Sequence, residues 1–493
     1  MTETLTVSKI NEVYVSVDCD SSVAMELKDY FTFKVPGYKF MPAYRNKMWS
    51  GDIHLFHPMT KRIYFGLIPH IIKFSETRGY RLVLDSNVWC WEVESKVNDD
   101  TTLEGKFIQE LDLPFMPRDY QLEAFSHCVR SKRSLLVSPT ASGKSLIIYM
   151  ATKWFHKDNK TLIIVPTISL VEQMRGDFIS YGCRDEDIHT IMSGREKNTD
   201  KPFVISTWQS IFKMPRQWYE QFDIVIGDEA HQYKAKSLTS ILEKLTKCGV
   251  RLGFTGTLDG TQTHKLILEG LFGSVKNVTT TAELIDQKHL ADFKIQAIVL
   301  KHSDKDKKEF SKAEYQDELD FIVRNELRNN FISQLSLQLK GNTLILYQFV
   351  EKHGKPLFEM INNQNKEKRN IFFVSGEVGV EDREDVRHIT DKHKDGPGVI
   401  IVGSYGCMST GINIRNLHNI IFASPTKSRI RSLQSIGRAL RTGDNKGRAT
   451  LYDIADDLSW KKAKNYTLKH FIERVGIYTG EKFDYKITSY HLR

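Results

Sequence analysis

Residues Ser138–Ser145, SPTASGKS, follow the apolar run Ser134–Val137 and lead into a helical pattern that begins at Leu146. Successive backbone N–H groups at a helix amino terminus cradle phosphate, so Thr140, Ala141, Ser142 and Gly143 would hold a triphosphate. Lys144 would reach its terminal phosphates and the Ser145 hydroxyl would coordinate Mg2+. Ser138 stands where the common phosphate-loop pattern has its first glycine, so the strand before and the helix after carry this assignment. A second apolar run, Phe222–Ile226, stops on Gly227, Asp228, Glu229, Ala230 and His231. Carboxylates at the carboxyl end of a buried parallel strand lie where open α/β sheets bind ligands. Asp228 is the expected second Mg2+ contact, and Glu229 the group that orients or deprotonates the attacking water.

Upstream, Arg118 and Gln121 in PRDYQ are candidates for the base of a nucleotide, because a glutamine amide offers adenine one donor and one acceptor. Near the other end, QSIGRALR places Arg438 and Arg441 about one helical turn apart on one face. Two such guanidiniums can neutralise charge on a phosphoryl group in transfer, an effect of roughly a thousandfold or more in rate. An ordinary basic helix has the same spacing.

These residues need strands to end them and helices to start them. Short β-branched runs at Ser134–Val137, Thr161–Val165, Phe203–Ser206, Asp223–Ile226 and Arg251–Phe254 alternate with helical patterns, which predicts a parallel sheet covered on both faces. A second set at Thr343–Tyr347, Ile371–Val374, Gly398–Val402, Asn419–Ala423 and Ala449–Asp453 predicts another α/β domain. A helical pattern over Ala282–Leu290 is expected to form the hinge region. The first hundred residues read as a small α+β unit, with strands in Glu12–Val17, Ile53–Phe56 and Tyr80–Leu84 and helices in Ser22–Tyr30 and Leu67–Thr77. The polar run Lys96–Gly105 reads as a linker. The expected division is 1–105, 106–283, 284–457 and a basic helical tail, 458–493, whose stripe Leu468, Phe471, Ile472 and Val475 should pack on the second domain.

At 493 residues the chain can bury several cores without covalent staples. Its six cysteines are scattered singly with no CxxC pair, which argues against zinc and against a disulfide framework; they read as core thiols in a reducing compartment. The amino terminus lacks a basic n-region and an apolar h-region, and no apolar run is long enough to span a bilayer. A cytoplasmic protein with no membrane partner is expected. The net charge of +9 suits an anionic partner.

Hydroxyls and amides near strand ends, at Pro166, Thr167, Thr207, Trp208, Gln209, Ser404, Tyr405, Ser409 and Thr410, are candidates for phosphate contacts that do not read bases. Trp208 could stack on a base. In the first region Tyr38, Lys39, Phe40, Tyr44, Arg45, Lys47, Trp49, Lys61 and Arg62 interleave aromatic and basic types, as duplex or branched DNA would require. Core packing is expected to claim most of those aromatics, leaving the basic residues, Arg45 among them, to bind phosphate.

Taken in order, PRDYQ, SPTASGKS, IIVPT, STWQS, GDEAH, FTGT, MSTGIN and QSIGRALR resemble the motif series of superfamily-two helicases of the DEAH-box type, from about Pro117 to Arg441. The segment Glu283–Phe293 looks like the DNA-repair branch of that superfamily. Phe40–Arg45 with Trp49 and Gly51 is similar to the UvsW-type recombination and repair helicases of large tailed phages. Ser138 and Ala141 depart from the glycines frequent in the family's phosphate loop. The resemblance implies two tandem RecA-like domains and an ATP- and Mg2+-dependent helicase or translocase acting on branched DNA, such as forks, Holliday junctions, D-loops or R-loops. It also implies that Gln121 reads adenine, that Arg438 and Arg441 are finger residues, and that His231, Thr255, Thr257 and Gln434 couple nucleotide state to domain closure. A monomer on DNA is expected, with recombination or single-strand-binding proteins as potential partners. An RNA helicase, or an ATP-gated DNA clamp without unwinding, is the alternative.

Overall fold

Leu5 and Val7 on β1 (Thr4–Lys9), with Val15 and Val17 on β2 (Tyr14–Asp18), alternate with exposed or half-exposed residues, the period-two pattern of a sheet with one buried face. The computed structural model describes residues 3–492 apart from 36, 89–101, 140, 158, 193, 234–235, 259–260, 377, 379, 393–395, 410–413, 415 and 426–447. It divides into two compact units, 1–138 with 143–278, and 139–142 with 279–493.

In the first unit, β1 and β2 join β5 (Arg62–Tyr64) and β6 (Arg81–Leu84) in a four-stranded sheet of order β5-β2-β1-β6, and β3 (Thr32–Lys34) pairs with β4 (Asp52–His54). Helices α1 (Ser21–Tyr30) and α2 (Ile68–Arg78) contribute Val23, Leu27, Ile71 and Phe74 to the core of this module. Asp20 caps α1 by accepting from Ser22 N. A helix, α3 (Thr102–Glu110), starts inside the stretch expected to be a linker. Its half-buried Phe107 and Ile108 anchor it to the next core, which local polarity at Asn98–Thr102 did not reveal.

Next come α4 (Asp119–Ser131), α5 (Lys144–Phe155), α6 (Ile168–Ser180), α7 (Lys236–Lys244) and α8 (Gln262–Phe272). They accompany an all-parallel sheet of order β13-β7-β12-β11-β8-β10-β9, with β7 Arg133–Val137, β8 Thr161–Val165, β9 Ile188–Ile191, β10 Phe203–Thr207, β11 Ile224–Gly227, β12 Val250–Thr255 and β13 Val275–Asn277. The central strands β8, β10 and β11 are buried at every position, which is why they appear in the sequence as unbroken apolar runs.

The second unit holds another seven-stranded parallel sheet, β16-β17-β15-β18-β19-β14-β20. Its strands are β14 Asp292–Lys301, β15 Thr343–Tyr347, β16 Ile371–Val374, β17 Ile400–Ser404, β18 Asn419–Phe422, β19 Arg448–Asp457 and β20 Asp484–His491. The expected hinge helix is shorter, Thr281–Asp286, and the chain is extended from Asp292 onward. Two tandem RecA-like sheets with a small amino-terminal module are thus the architecture. The tail is α9 (Tyr466–Gly480) followed by β20, which pairs with β14 as an edge strand. Phe471 is buried and Leu468 and Val475 pack beside it, whereas Ile472, expected in the same stripe, is exposed.

Beneath α9, Arg474 Nε and Nη2 donate to the two Asp453 oxygens at 2.9 and 2.8 Å, and Tyr478 Oη donates to Asp453 at 2.8 Å, all fully buried. Removing one partner strands a charge in the interior, so Arg474→Met is expected to destabilise the chain by about 3–5 kcal/mol, measured by urea unfolding. Cys128, Cys183 and Cys248 are buried as expected, but Cys19 and Cys407 are half-buried, and Cys90 lies outside the described residues. No helix among the described residues is long and apolar enough to cross a membrane.

Candidate active site

The strands β7, β12 and β11 are neighbours, so the loops that leave their carboxyl ends share one edge of the first sheet. Those loops carry Ser138, Thr255 and Asp228 respectively, and Ser138 N donates to Thr255 O at 2.9 Å. After β7 the chain turns through Ala141 at φ 68° and Gly143 at φ 78° into α5. Left-handed backbone at Ala141 sits where the family favours glycine, and a side chain there costs about 1–3 kcal/mol of strain. Ser142 Oγ donates to Pro139 O at 2.7 Å and closes the turn. Thr140 lies outside the described residues.

Gly143 is fixed on two grounds. Its φ is positive, and a Cβ there would overlap Gln121 Nε2. Gly143→Ala is therefore expected to weaken ATP binding by roughly tenfold or more, ~1.4 kcal/mol, readable by titration with a fluorescent ATP analogue.

Lys144 opens α5, and its Nζ donates to Ser138 O at 3.4 Å. The N-cap position of α5 is Gly143, so no side chain caps the amino terminus of this helix, the end that favours an anion. Ser145 Oγ lies 2.9 Å from Tyr181 Oη, just beyond the end of α6. Nothing in local spacing points to Tyr181, because it is 36 residues away in sequence.

Asp228 is buried at the end of β11 and accepts from Glu229 N at 2.9 Å. Burial pushes its carboxyl up to about 6; the neighbouring Glu229 adds to the rise and the Lys144 ammonium opposes it. A buried carboxylate whose ionisation is resisted in this way, with a second carboxylate next to it in sequence, is an oxygen donor set short of positive charge, which suits Mg2+. Glu229 takes a left-handed conformation, φ 49° and ψ 48°, and this turns its carboxylate so that Oε2 is 3.2 Å from His231 Nδ1. The same Nδ1 is 3.0 Å from Thr255 Oγ1, which donates onward to Thr257 O at 2.9 Å. Lys144, Asp228, Glu229, His231, Thr255 and Thr257 are therefore brought together at one end of the sheet, while the Ser145 hydroxyl meets Tyr181.

Gln121 is buried, and its Oε1 accepts from Arg118 N at 2.9 Å. Its Nε2 lies close to Gly143, while Arg118 Nη1 donates to Tyr120 Oη at 2.8 Å. Gln121 thus stands beside Gly143.

Several candidate nucleic-acid contacts are turned inward. Pro166, Thr207, Ser404 and Tyr405 are buried. Tyr405 Oη donates to Ser424 O at 3.3 Å, and Thr207 Oγ1 is 2.8 Å from Ser210 Oγ. Those side chains pack their own domains instead of presenting a surface. Thr167 is half-exposed and caps α6 by accepting from Leu170 N; Gln209 is exposed; Trp208 is half-buried with its ring 6.0 Å from Phe212. The Ser409 side chain, Thr410, Gln434, Arg438 and Arg441 lie outside the described residues.

In the amino-terminal module the expectation that aromatics join the core is overturned. Phe40 is 76% exposed, Tyr38 and Tyr44 pack edge to face with centroids 4.8 Å apart, and Arg45 and Lys47 are exposed beside them. The segment Pro42–Arg45 is a single helical turn outside the sheet, so it has no core to enter.

Comparison with known proteins agrees with this fold. Residues 7–85 match the family described as DNA helicase UvsW, N-terminal; residues 114–260 match type III restriction enzyme, res subunit; and residues 326–443 match helicase conserved C-terminal domain. The ATP-dependent DNA helicase uvsW of Enterobacteria phage T4 is 33% identical over 97% of this chain and 98% of its own length. The DNA 3'-5' translocase XPB2 of Sulfurisphaera tokodaii is 23% identical over 69% of this chain and 83% of its own. The crystal structure of T4 UvsW aligns over the whole of both chains with a TM-score of 0.52 and 31% identity. By its identity to the phage protein along nearly its full length, this chain belongs to the UvsW family of superfamily-two helicases.

Proposed function

We propose that this protein is an ATP-dependent DNA helicase that unwinds or branch-migrates branched DNA in recombination, replication and repair. The observation that carries the hydrolytic half is the cluster of Lys144, Asp228, Glu229, His231 and Thr255 on one sheet edge. Family membership supports DNA as the substrate.

In this assignment the α5 amino terminus and Lys144 bind the phosphates, Gln121 and Arg118 stand near the base, and Ser145 and Asp228 hold Mg2+. Held there, a divalent cation would supply positive charge to offset that of the phosphates. Glu229 takes the proton from the attacking water, and the His231–Thr255 bond responds to what occupies the site. Arg438 and Arg441 are assigned as finger residues, and Gln434 as a coupling residue, on the motif QSIGRALR. Gln209 and Arg45, which are exposed, and Thr167 and Trp208, which are half-exposed, are assigned as nucleic-acid contacts. The working division into functional parts is 1–105, 106–283, 284–457 and 458–493, with a monomer acting on DNA and recombination or single-strand-binding proteins as partners.

Forked, four-way and linear DNA, and matching RNA duplexes, should be compared for ATP hydrolysis and strand displacement in the presence of Mg2+. Displacement of branched DNA above linear DNA and RNA is the expected result. Preference for RNA would overturn the substrate, and hydrolysis with junction binding but no displacement would identify an ATP-gated clamp instead.

A further inference from the structure

The amino-terminal module rests on two helices, and both emerge from loops of the candidate active site. Helix α7 follows the loop that holds Asp228, Glu229 and His231, and α8 follows the loop that holds Thr255 and Thr257. On α7, Glu243 Oε1 accepts from Tyr14 Oη at 2.9 Å and from Tyr64 Oη at 2.7 Å, the two rings being stacked with centroids 5.2 Å apart. On α8, Leu266 enters the module's own hydrophobic core, and His70 Nε2 lies 3.0 Å from Glu269 Oε2. The fit is close on both sides. A Cβ on Gly66 would run into the Glu269 carbonyl oxygen, and one on Gly270 would meet the Tyr64 ring at 2.9 Å.

The opposite contacts of α8 reach the active site. His264 Nε2, near the start of the helix, lies 2.9 Å from His231 O, and His231 is itself bonded to Thr255. Phe272, at its end, packs against Gly227 and Gly253, which sit on the strands that deliver Asp228 and Thr255. With glycines on both strands, Phe272 lies directly against their backbones, so a shift at the strand ends has no soft side chain to absorb it.

We propose that Glu243 and His264 are positioning residues that couple the nucleotide at the active site to the DNA affinity of the amino-terminal module, through α7 and α8. The proposal rests on the helicase function given above, in which the same cluster binds ATP and the chain binds DNA. A change at His231 alters the seat of α8, Tyr64 bridges the seats on α8 and α7, and the module's exposed basic segment around Arg45 is carried with them. Linkage makes the effect reciprocal: DNA on the module must change nucleotide affinity by the same factor.

The test uses the full chain and a fluorescent forked DNA, titrated without nucleotide and with a non-hydrolysable ATP analogue plus Mg2+. The ratio of the two dissociation constants is the coupling factor, and a reverse titration of the analogue with and without DNA must return the same number. Wild type is expected to give a factor in the range of about 5 to 150. The double variant Tyr14→Phe with Tyr64→Phe, which removes two hydroxyls and keeps the stacked rings, should bind analogue alone and DNA alone as wild type does, with the factor reduced toward 1. Glu243→Gln, whose amide oxygen still accepts from both hydroxyls, should retain the factor, and Glu243→Leu should lose it. A wild-type factor of 1, or an unchanged factor in the double variant, overturns the coupling. Failure of wild type to bind analogue or DNA at all instead removes the helicase function on which it stands.

Discussion

Glu229→Gln is expected to slow ATP hydrolysis by about a hundred- to ten-thousandfold, the span typical of losing a positioned general base, while nucleotide affinity stays close to wild type. The substitution is nearly isosteric, so the left-handed backbone at φ 49° and the approach to His231 Nδ1 are preserved. What is lost is the ability to take a proton, because an amide nitrogen's lone pair is delocalised into the carbonyl and an amide oxygen is a far weaker base than a carboxylate. The variant should hold ATP with Mg2+ and DNA without turning over, so strand displacement should vanish along with hydrolysis. Single-turnover hydrolysis measured beside analogue binding separates the two effects. A Glu229→Gln protein that hydrolyses ATP at a wild-type rate would remove this residue from the chemistry and leave Asp228 as the only carboxylate at the strand end to consider.

Lys144→Ala should act earlier. Its ammonium is the cation that opposes the rise of the Asp228 carboxyl, and it stands at the amino terminus of α5 where the terminal phosphates are expected. Removing it takes away a preorganised charge on the transferring group, worth about a hundred- to a thousandfold in rate. It also leaves two carboxylates facing the phosphates with less to offset them, so nucleotide affinity should fall as well, in contrast to Glu229→Gln. Hydrolysis assayed over a range of ATP concentrations should show a lower kcat and a raised KM. Intact DNA-stimulated hydrolysis in Lys144→Ala would mean that SPTASGKS is not the phosphate loop, and the functional assignment would fall with it.

Much of the motor was legible because buried parallel strands must be apolar on both faces. Thr161–Val165, Phe203–Thr207 and Ile224–Gly227 have no solvent face, so their sequences are continuous runs that stop where the loops begin. The chemistry was legible for a related reason. Lys144, Asp228 and Thr255 each follow such a run within a few residues, and a parallel sheet brings all those ends to one edge. The strands that were missed are mostly short or peripheral. β13 is three residues long, and β20 is an edge strand with mostly exposed side chains and no buried face to impose a period. β14 was hidden for another reason: its ten residues run straight on from a helical pattern, with only a short turn between.

By itself the sequence determined the two parallel sheets, the turn from β7 into α5 and the acidic strand end, since each depends on local pattern and on residues a few positions apart. Tertiary structure alone decided that Tyr405 and Thr207 point inward, that Tyr181 meets Ser145, and that the amino-terminal module is seated on α7 and α8. The bond from Tyr14 to Glu243 spans 229 positions, and no local propensity encodes such a pairing. It arises when packing brings two surfaces together and half-buried hydroxyls find an acceptor there.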